Sequence, residues 1–255
     1  MSVLSSIAVA FSMYSRIPMP RVEWTERTMR YALAAFPLVG VVQGALCLAW
    51  GLVAQAASLP AAIAAAGLVV IPLAVNGGIH LDGFADTTDA LASHAPRERK
   101  LEILKDSSIG AFAAIGLGCF FVVSFALLES FPLEWRALAC LMPAFALSRA
   151  LSGLALVFWP SARPGGTADT FSRNAGRTAT RATLAAEAAL CAAALVCLAG
   201  ALGAAVLAGA LAVWGAYRIM ALRNFGGLTG DLAGWFVQVS ELVMTAVLVA
   251  GGLFA

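Results

Sequence analysis

Charge is what this sequence has least of. Asp, Glu, Lys and Arg make up 12% of its 255 residues, against about 25% in an ordinary soluble domain. So few charged side chains leave a water-soluble helical bundle without the polar faces its outside needs. The basic residues form no Lys/Arg-rich run interleaved with aromatics, and the net charge is only +2; no nucleic-acid partner is expected. The five cysteines, Cys47, Cys119, Cys140, Cys191 and Cys197, all lie in apolar runs, with no CxxC and no Cys/His cluster. That argues against a disulfide framework and against a zinc site. The first 20 residues lack a basic n-region and a clear A-x-A site, so no removed signal peptide is expected. A Ser-His-Asp order, a nucleotide P-loop and a Rossmann fingerprint are also missing.

What the sequence does have is apolar length. It is 61% hydrophobic, with a mean hydropathy of +0.89. Runs of about 20 apolar residues read as membrane-spanning helices. Seven are found, at about 33–57, 61–80, 110–130, 137–159, 183–200, 204–222 and 233–254. The fold class is therefore all-α, a polytopic membrane helical bundle of about seven transmembrane helices forming one integral-membrane domain over 1–255. The apolar piece VLSSIAVAFSMYS near the N-terminus is too short to cross, and is expected to lie in the interface or re-enter. The Ala/Gly-rich texture suits close helix packing, and GVVQG (40–44) is a GxxxG. Prolines in SRIPMP (15–20) and AFPLVG (35–40) predict a rigid turn and a kink.

With seven crossings, 14 of the 16 Lys and Arg residues fall on one side. That side is predicted to be cytoplasmic, with the C-terminus outside. Every polar motif falls on the same side, because the opposite connections, 58–60, 131–136 and 201–203, are short.

The densest polar stretch is HLDGFADTTDA, 80–90, directly after an uncharged run. Asp82, Asp86 and Asp89 stand at i, i+4 and i+7, within about 60° of arc on a helix. Like charges so arranged repel unless cations offset them. Oxygen-rich clusters of this kind suit Mg²⁺ bound together with substrate phosphates. Gly83 lets a backbone or a ligand approach closely. Alternatively Asp82 caps a helix, and the acids form a solvated face. His80 is either functional or a structural hydrogen-bonder.

Three further groups stand out. In ILKDSSIGAF (103–112), Lys105 offers a point charge to a phosphate, while Asp106 and Ser107 either take part or cap the helix that starts near Ser108. In GGLTGDLAGWFVQVSEL (226–242), a Gly-rich turn leads into an apolar helix carrying Asp231, Gln238 and Glu241, within about 80° of arc. Glu241 sits deep in a span, where ionisable groups are costly and commonly functional; a buried interhelical hydrogen bond is the alternative. Arg149 lies mid-span and needs an anion, either a bundle carboxylate or a substrate phosphate. In the loop 163–178, Arg173 and Arg177 either clamp phosphates or only mark the cytoplasmic side. The residues alone describe a membrane-embedded, Mg²⁺-assisted site for an anionic substrate, and phosphoryl transfer fits best.

Taken together and in order, SRIPMP, AFPLVGVVQG, NGGIHLDGFADTTDALAS, RKLEILKDSSIGAFA, the SRA at 148–150 and GGLTGDLAGWFVQVSEL resemble the cobalamin synthase family, adenosylcobinamide-GDP ribazoletransferase. The resemblance covers essentially the full length. It implies a Mg²⁺-dependent enzyme of the cell (inner) membrane. Adenosylcobinamide-GDP would react with α-ribazole or its 5′-phosphate to give adenosylcobalamin or its phosphate, with release of GMP. It further implies Asp82, Asp86, Asp89, Asp231 and Glu241 at the metal, and Asp82, Asp86, Asp89 and Asp231 in catalysis, with Asp89 or Asp231 as general base. His80, Gly83, Lys105, Asp106, Arg149, Arg173, Arg177, Thr229 and Gly230 are the candidate substrate-binding residues. Two positions depart from the family pattern: Ala90 stands where Gly usually closes the acidic motif, and Gln238 where a second acidic residue is common. The Asp spacing is also similar to that of CDP-alcohol phosphotransferases, so a lipid-type phosphotransferase is the rival enzyme. A cation-coupled transporter is the rival of another class. The lipid bilayer is an expected partner, and a homo-oligomer stays open.

Overall fold

The computed structural model describes residues 2–29, 31–163, 165 and 177–253. The described residues are helical apart from turns and one backbone bridge, Ser161 to Leu228. In chain order the helices are α1 (Ser2–Tyr14), α2 (Glu26–Met29), α3 (Phe36–Ala56), α4 (Ala61–Asn76), α5 (Ile79–Ala92) and α6 (Arg97–Ile103). They continue with α7 (Ala111–Glu129), α8 (Trp135–Phe158), α9 (Arg177–Ala199), α10 (Ala201–Phe225) and α11 (Gly230–Leu253). Six of them (α3, α7, α8, α9, α10 and α11) are long and apolar enough to cross a membrane, and the bent pair α4–α5 brings the number to 7 if it is one span.

α8 is the centre of the bundle. Within its most apolar 18 residues 83% are buried, against 11% for α7. It packs on α3, α9 and α11, while α11 also packs on α5 and α10. The approach of α3 to α8 uses the GxxxG read from the sequence. A Cβ on Gly40 would lie 2.7 Å from the Ala146 amide, and one on Gly44 2.7 Å from that of Met142. The outer faces show large apolar side chains, such as Leu190 and Val122, each 70% exposed. Hydrocarbon suits such faces, and water does not.

Two expectations are corrected. The run 61–80 is not one helix. α4 stops at Asn76, Gly77 and Gly78 take φ of 63° and 84°, and α5 leaves at 93° to α4. Two successive left-handed residues end a helix, and glycine adopts that conformation without a Cβ clash. His80 therefore belongs to α5 and not to a span end. Nor does Pro37 kink a helix, because it stands at the start of α3, where its missing N–H costs nothing. The 13-residue α1 rises only about 20 Å and docks against α2 and α3, with Val9, Ala10 and Phe11 buried. The Arg16 amide, donating to the Val75 carbonyl at 2.7 Å, ties the segment after α1 to the end of α4.

Candidate active site

α5 crosses α11 at two glycines. A Cβ on Gly83 would lie 2.5 Å from the Asp231 carbonyl oxygen, and one on Gly234 3.1 Å from the carbonyl oxygen of His80. The close partner of Gly83 is thus a backbone. α11 starts where the turn before it is pinned: the Leu228 amide donates to Pro160 and the Ala162 amide to Leu228, both at 2.8 Å. Thr229 then caps the helix, accepting from the Leu232 amide at 3.2 Å. Its hydroxyl also lies 3.3 Å from Asp231 Oδ2. Asp231 sits in the first turn of α11, where the helix dipole favours a carboxylate.

The crossing brings Asp82 and Asp86 of α5 and Asp231 of α11 to one open cavity of about 770 Å³, with Lys105 and Asp106 on the facing loop. The charges that act on Asp86 are all acidic: Asp82, Asp231, Asp89 and Asp106, in falling order. The positive charge that acts on Asp231 is Arg163, which also donates to the Leu101 carbonyl. Exposed Asp106 accepts from the Ser108 amide at 2.9 Å, and Ser108 holds its carboxyl below the usual carboxylate range. Its turn precedes α7, which starts only at Ala111.

The cap of α7 comes from elsewhere. Asp89 accepts from the Gly110 amide at 2.7 Å through Oδ2 and from the Ala113 amide at 2.8 Å through Oδ1. Expected at the metal, Asp89 instead has both oxygens engaged in holding α7 to α5, and it does not line the acidic cavity. Among the described residues, no three His, Cys, Asp or Glu side chains are gathered closely enough to cage a metal by themselves.

Glu241 also departs from the acidic group. It lies ten residues further along α11 than Asp231, about 15 Å on, and is ion-paired with Arg149 of α8, whose side chain is fully buried. Arg149 Nη2 donates to Gln43 Oε1 at 2.7 Å and Nη1 to the Phe145 carbonyl at 2.7 Å. Gln43 Nε2 reaches Glu241 Oε2 at 3.3 Å, and the Ser148 hydroxyl lies 3.1 Å from Oε1. Of the two partners expected for Arg149, the structure supplies the bundle carboxylate. Gln238, also buried, lines an apolar groove with Glu241. The network locks α3, α8 and α11 together inside the bundle.

The family model described as CobS, cobalamin-5-phosphate synthase, matches residues 6–249. The chain belongs to the CobS family. It is 37% identical over 254 residues to the adenosylcobinamide-GDP ribazoletransferase of Lachnoclostridium phytofermentans, covering 99% of this chain and 97% of that one. The protein of the same name from Azorhizobium caulinodans is 33% identical, covering 94% and 93%. That from Mesorhizobium japonicum is 31% identical, covering 96% and 93%. No solved structure matches the chain significantly.

In this CobS-family chain the remaining candidates divide. His80 is buried and lines a smaller cavity together with Gly230, Asp82 and Asp231. Arg173 lies outside the described residues, as does the side chain of Arg177. Several residues at the site or supporting it had no local signal. Arg163 reads only as one more basic residue of a loop. Gln43 looks like a stray amide in an apolar run. Lys100 is buried with its Nζ donating to Asn224 Oδ1 at 2.8 Å, across 124 residues of sequence. Each becomes visible only when helices far apart in sequence meet.

Proposed function

We propose that the chain is an adenosylcobinamide-GDP ribazoletransferase. It moves the adenosylcobinamide-phosphate group from adenosylcobinamide-GDP to α-ribazole or α-ribazole 5′-phosphate, and GMP leaves. The observation that supports this most directly is the acidic cavity at the α5–α11 crossing, in a chain that aligns over nearly its whole length with relatives of that name.

Asp82, Asp86 and Asp231 would hold Mg²⁺. The donor set fits, because it is all oxygen and the charges that act most on Asp86 are other carboxylates. Since no three such side chains among the described residues lie close enough to hold a metal by themselves, substrate phosphates and water would have to complete the shell. Bound there, Mg²⁺ would neutralise charge on the pyrophosphate and on the departing phosphate. Lys105, on the cavity rim, adds a mobile positive charge for the donor phosphates. A ribose hydroxyl of the acceptor, one that stays free in the 5′-phosphate, bonds through its oxygen to the phosphorus linked to the corrinoid side chain, the bond from that phosphorus to the GMP oxygen breaks, and the hydroxyl proton passes to a carboxylate. Asp231 is the better candidate for that base than Asp89, because it faces both cavities while Asp89 caps α7.

The site is assigned to the cytoplasmic face by the side that the basic residues share. α4, with 16 residues, rises about 24 Å, close to the ~30 Å of a hydrocarbon core. α5, turned by 93°, then runs along the inner surface with its carboxylates near water. A reporter fused after Ala255 reads as external under this topology.

The test is turnover by the purified chain in lipid vesicles. GMP release from adenosylcobinamide-GDP that needs both Mg²⁺ and ribazole or its phosphate is the expected result. CMP release from a CDP-alcohol alone, or solute uptake without chemical change, would overturn the reading.

A further inference from the structure

A second cavity, of about 200 Å³, opens among α1, α3, α5, α8 and α11. One wall is aromatic. Tyr14 and Phe36 lie 4.1 Å apart between ring centroids, and Phe36 and His80 5.7 Å. Besides Asp82, Asp231 and the Tyr14 hydroxyl, two polar side chains line it, His80 from α5 and Ser152 from α8. His80 is 5% exposed and Ser152 0%. Neither ring nitrogen of His80 nor the Ser152 hydroxyl has a hydrogen-bond partner among the described residues. Native proteins leave few buried polar atoms unpaired. Here three of them border one recess, and apolar recesses with a few convergent polar groups are where small ligands bind. At its mouth, Ile79, Asp82 and Asp231 belong to this cavity and to the large acidic one alike.

We propose that this recess holds the azole base of the ribonucleoside acceptor. The inference rests on the reading given under Proposed function and adds the location of the acceptor. The ring stacks against Phe36 and Tyr14. Its free ring nitrogen accepts from the Ser152 hydroxyl or a His80 N–H, and the ribose points out so that its reacting hydroxyl meets Asp82 and Asp231. Size supports this occupant, since pockets for drug-sized molecules run to about 300–1,000 Å³. A recess of about 200 Å³ takes one fused ring system and excludes a corrin macrocycle. An azole base with one free ring nitrogen is satisfied by the Ser152 hydroxyl or the His80 ring. The arrangement also gives α1 a task, because Tyr14 closes the recess from that helix.

The test uses the purified full-length chain in lipid vesicles with benzimidazole as the probe. Benzimidazole should bind without turnover and inhibit competitively against the acceptor, but not against adenosylcobinamide-GDP. Ser152→Ala should weaken its binding about tenfold, the loss of one buried hydrogen bond. His80→Phe, which keeps the aromatic wall, should raise the acceptor KM and leave the donor KM unchanged. Competition with the donor, or equal benzimidazole binding by wild type and both variants, would overturn the assignment. The wild-type inhibition pattern decides even if a variant misfolds. Failure of the functional reading looks different: no GMP is released with any acceptor, while the variants still lose benzimidazole.

Discussion

Replacing Gly83 with alanine tests the α5–α11 crossing directly. The new Cβ would sit 2.5 Å from the Asp231 carbonyl oxygen and 2.9 Å from its Cα. Ordinary contact needs about 3.5 Å, so the two helices must part by about 1 Å. Both obstacles are backbone, and no side-chain rotation relieves them. Overpacking of this sort costs about 1–3 kcal/mol. The larger effect falls on the chemistry, because the atoms that move apart carry Asp82 on one side and Asp231 on the other. A misplacement of about 1 Å lowers turnover on the order of 100-fold. Gly234→Ala is the graded case, with its Cβ 3.1 Å from the His80 carbonyl oxygen; a shift of a few tenths of an ångström should cost much less. Gly118→Ala on α7 meets nothing within 4 Å and is the control. The assay is the rate of GMP release by each variant in vesicles, with thermal unfolding in detergent alongside. Wild-type turnover by Gly83→Ala would refute the claim that this crossing sets the spacing of the carboxylates.

Three other outcomes are expected. Asp86→Asn should fold normally but lose turnover and shift the Mg²⁺ dependence, and a wild-type Mg²⁺ titration would remove Asp86 from the metal. Asp89→Ala should do the opposite: it strands the Gly110 and Ala113 amides at a cost of about 1–2 kcal/mol in stability, with the Mg²⁺ requirement of the remaining activity unchanged. Glu241→Leu should destabilise by about 3–5 kcal/mol, because it leaves a buried guanidinium unpaired that stays charged. Adding Arg149→Met should recover much of that loss, and additive effects in the double-mutant cycle would show that the two residues are not coupled.

The acidic stretch around Asp86 was legible because its signal is local. Charges are rare in this chain, and the i, i+4 and i+7 spacing puts three of them on one helical stripe whatever that helix packs against. The spans were legible for the same reason, since apolar length belongs to each segment alone. The break at Gly77–Gly78 was not read, because two glycines in an apolar run look like helix-packing residues until their φ angles are seen. Asp89 was expected at the metal from its spacing and Glu241 from the family resemblance, and an acid looks the same in sequence whether it faces a cavity, a helix N-terminus or an arginine.

By itself, then, the sequence determined the lipid-facing class of the molecule, the approximate spans, the basic side and the existence of an acidic site. These follow from hydropathy and charge, which add up along the chain. Only the tertiary structure decided which acids share a cavity. It turned Asp89 into the cap of α7, gave Glu241 to Arg149 and set Asp231 against Gly83. The physical reason is that a carboxylate's role depends on the nearest donor or cation. In a bundle of apolar helices that neighbour is supplied by a distant segment, through backbone contacts at glycines that carry no charge pattern to read.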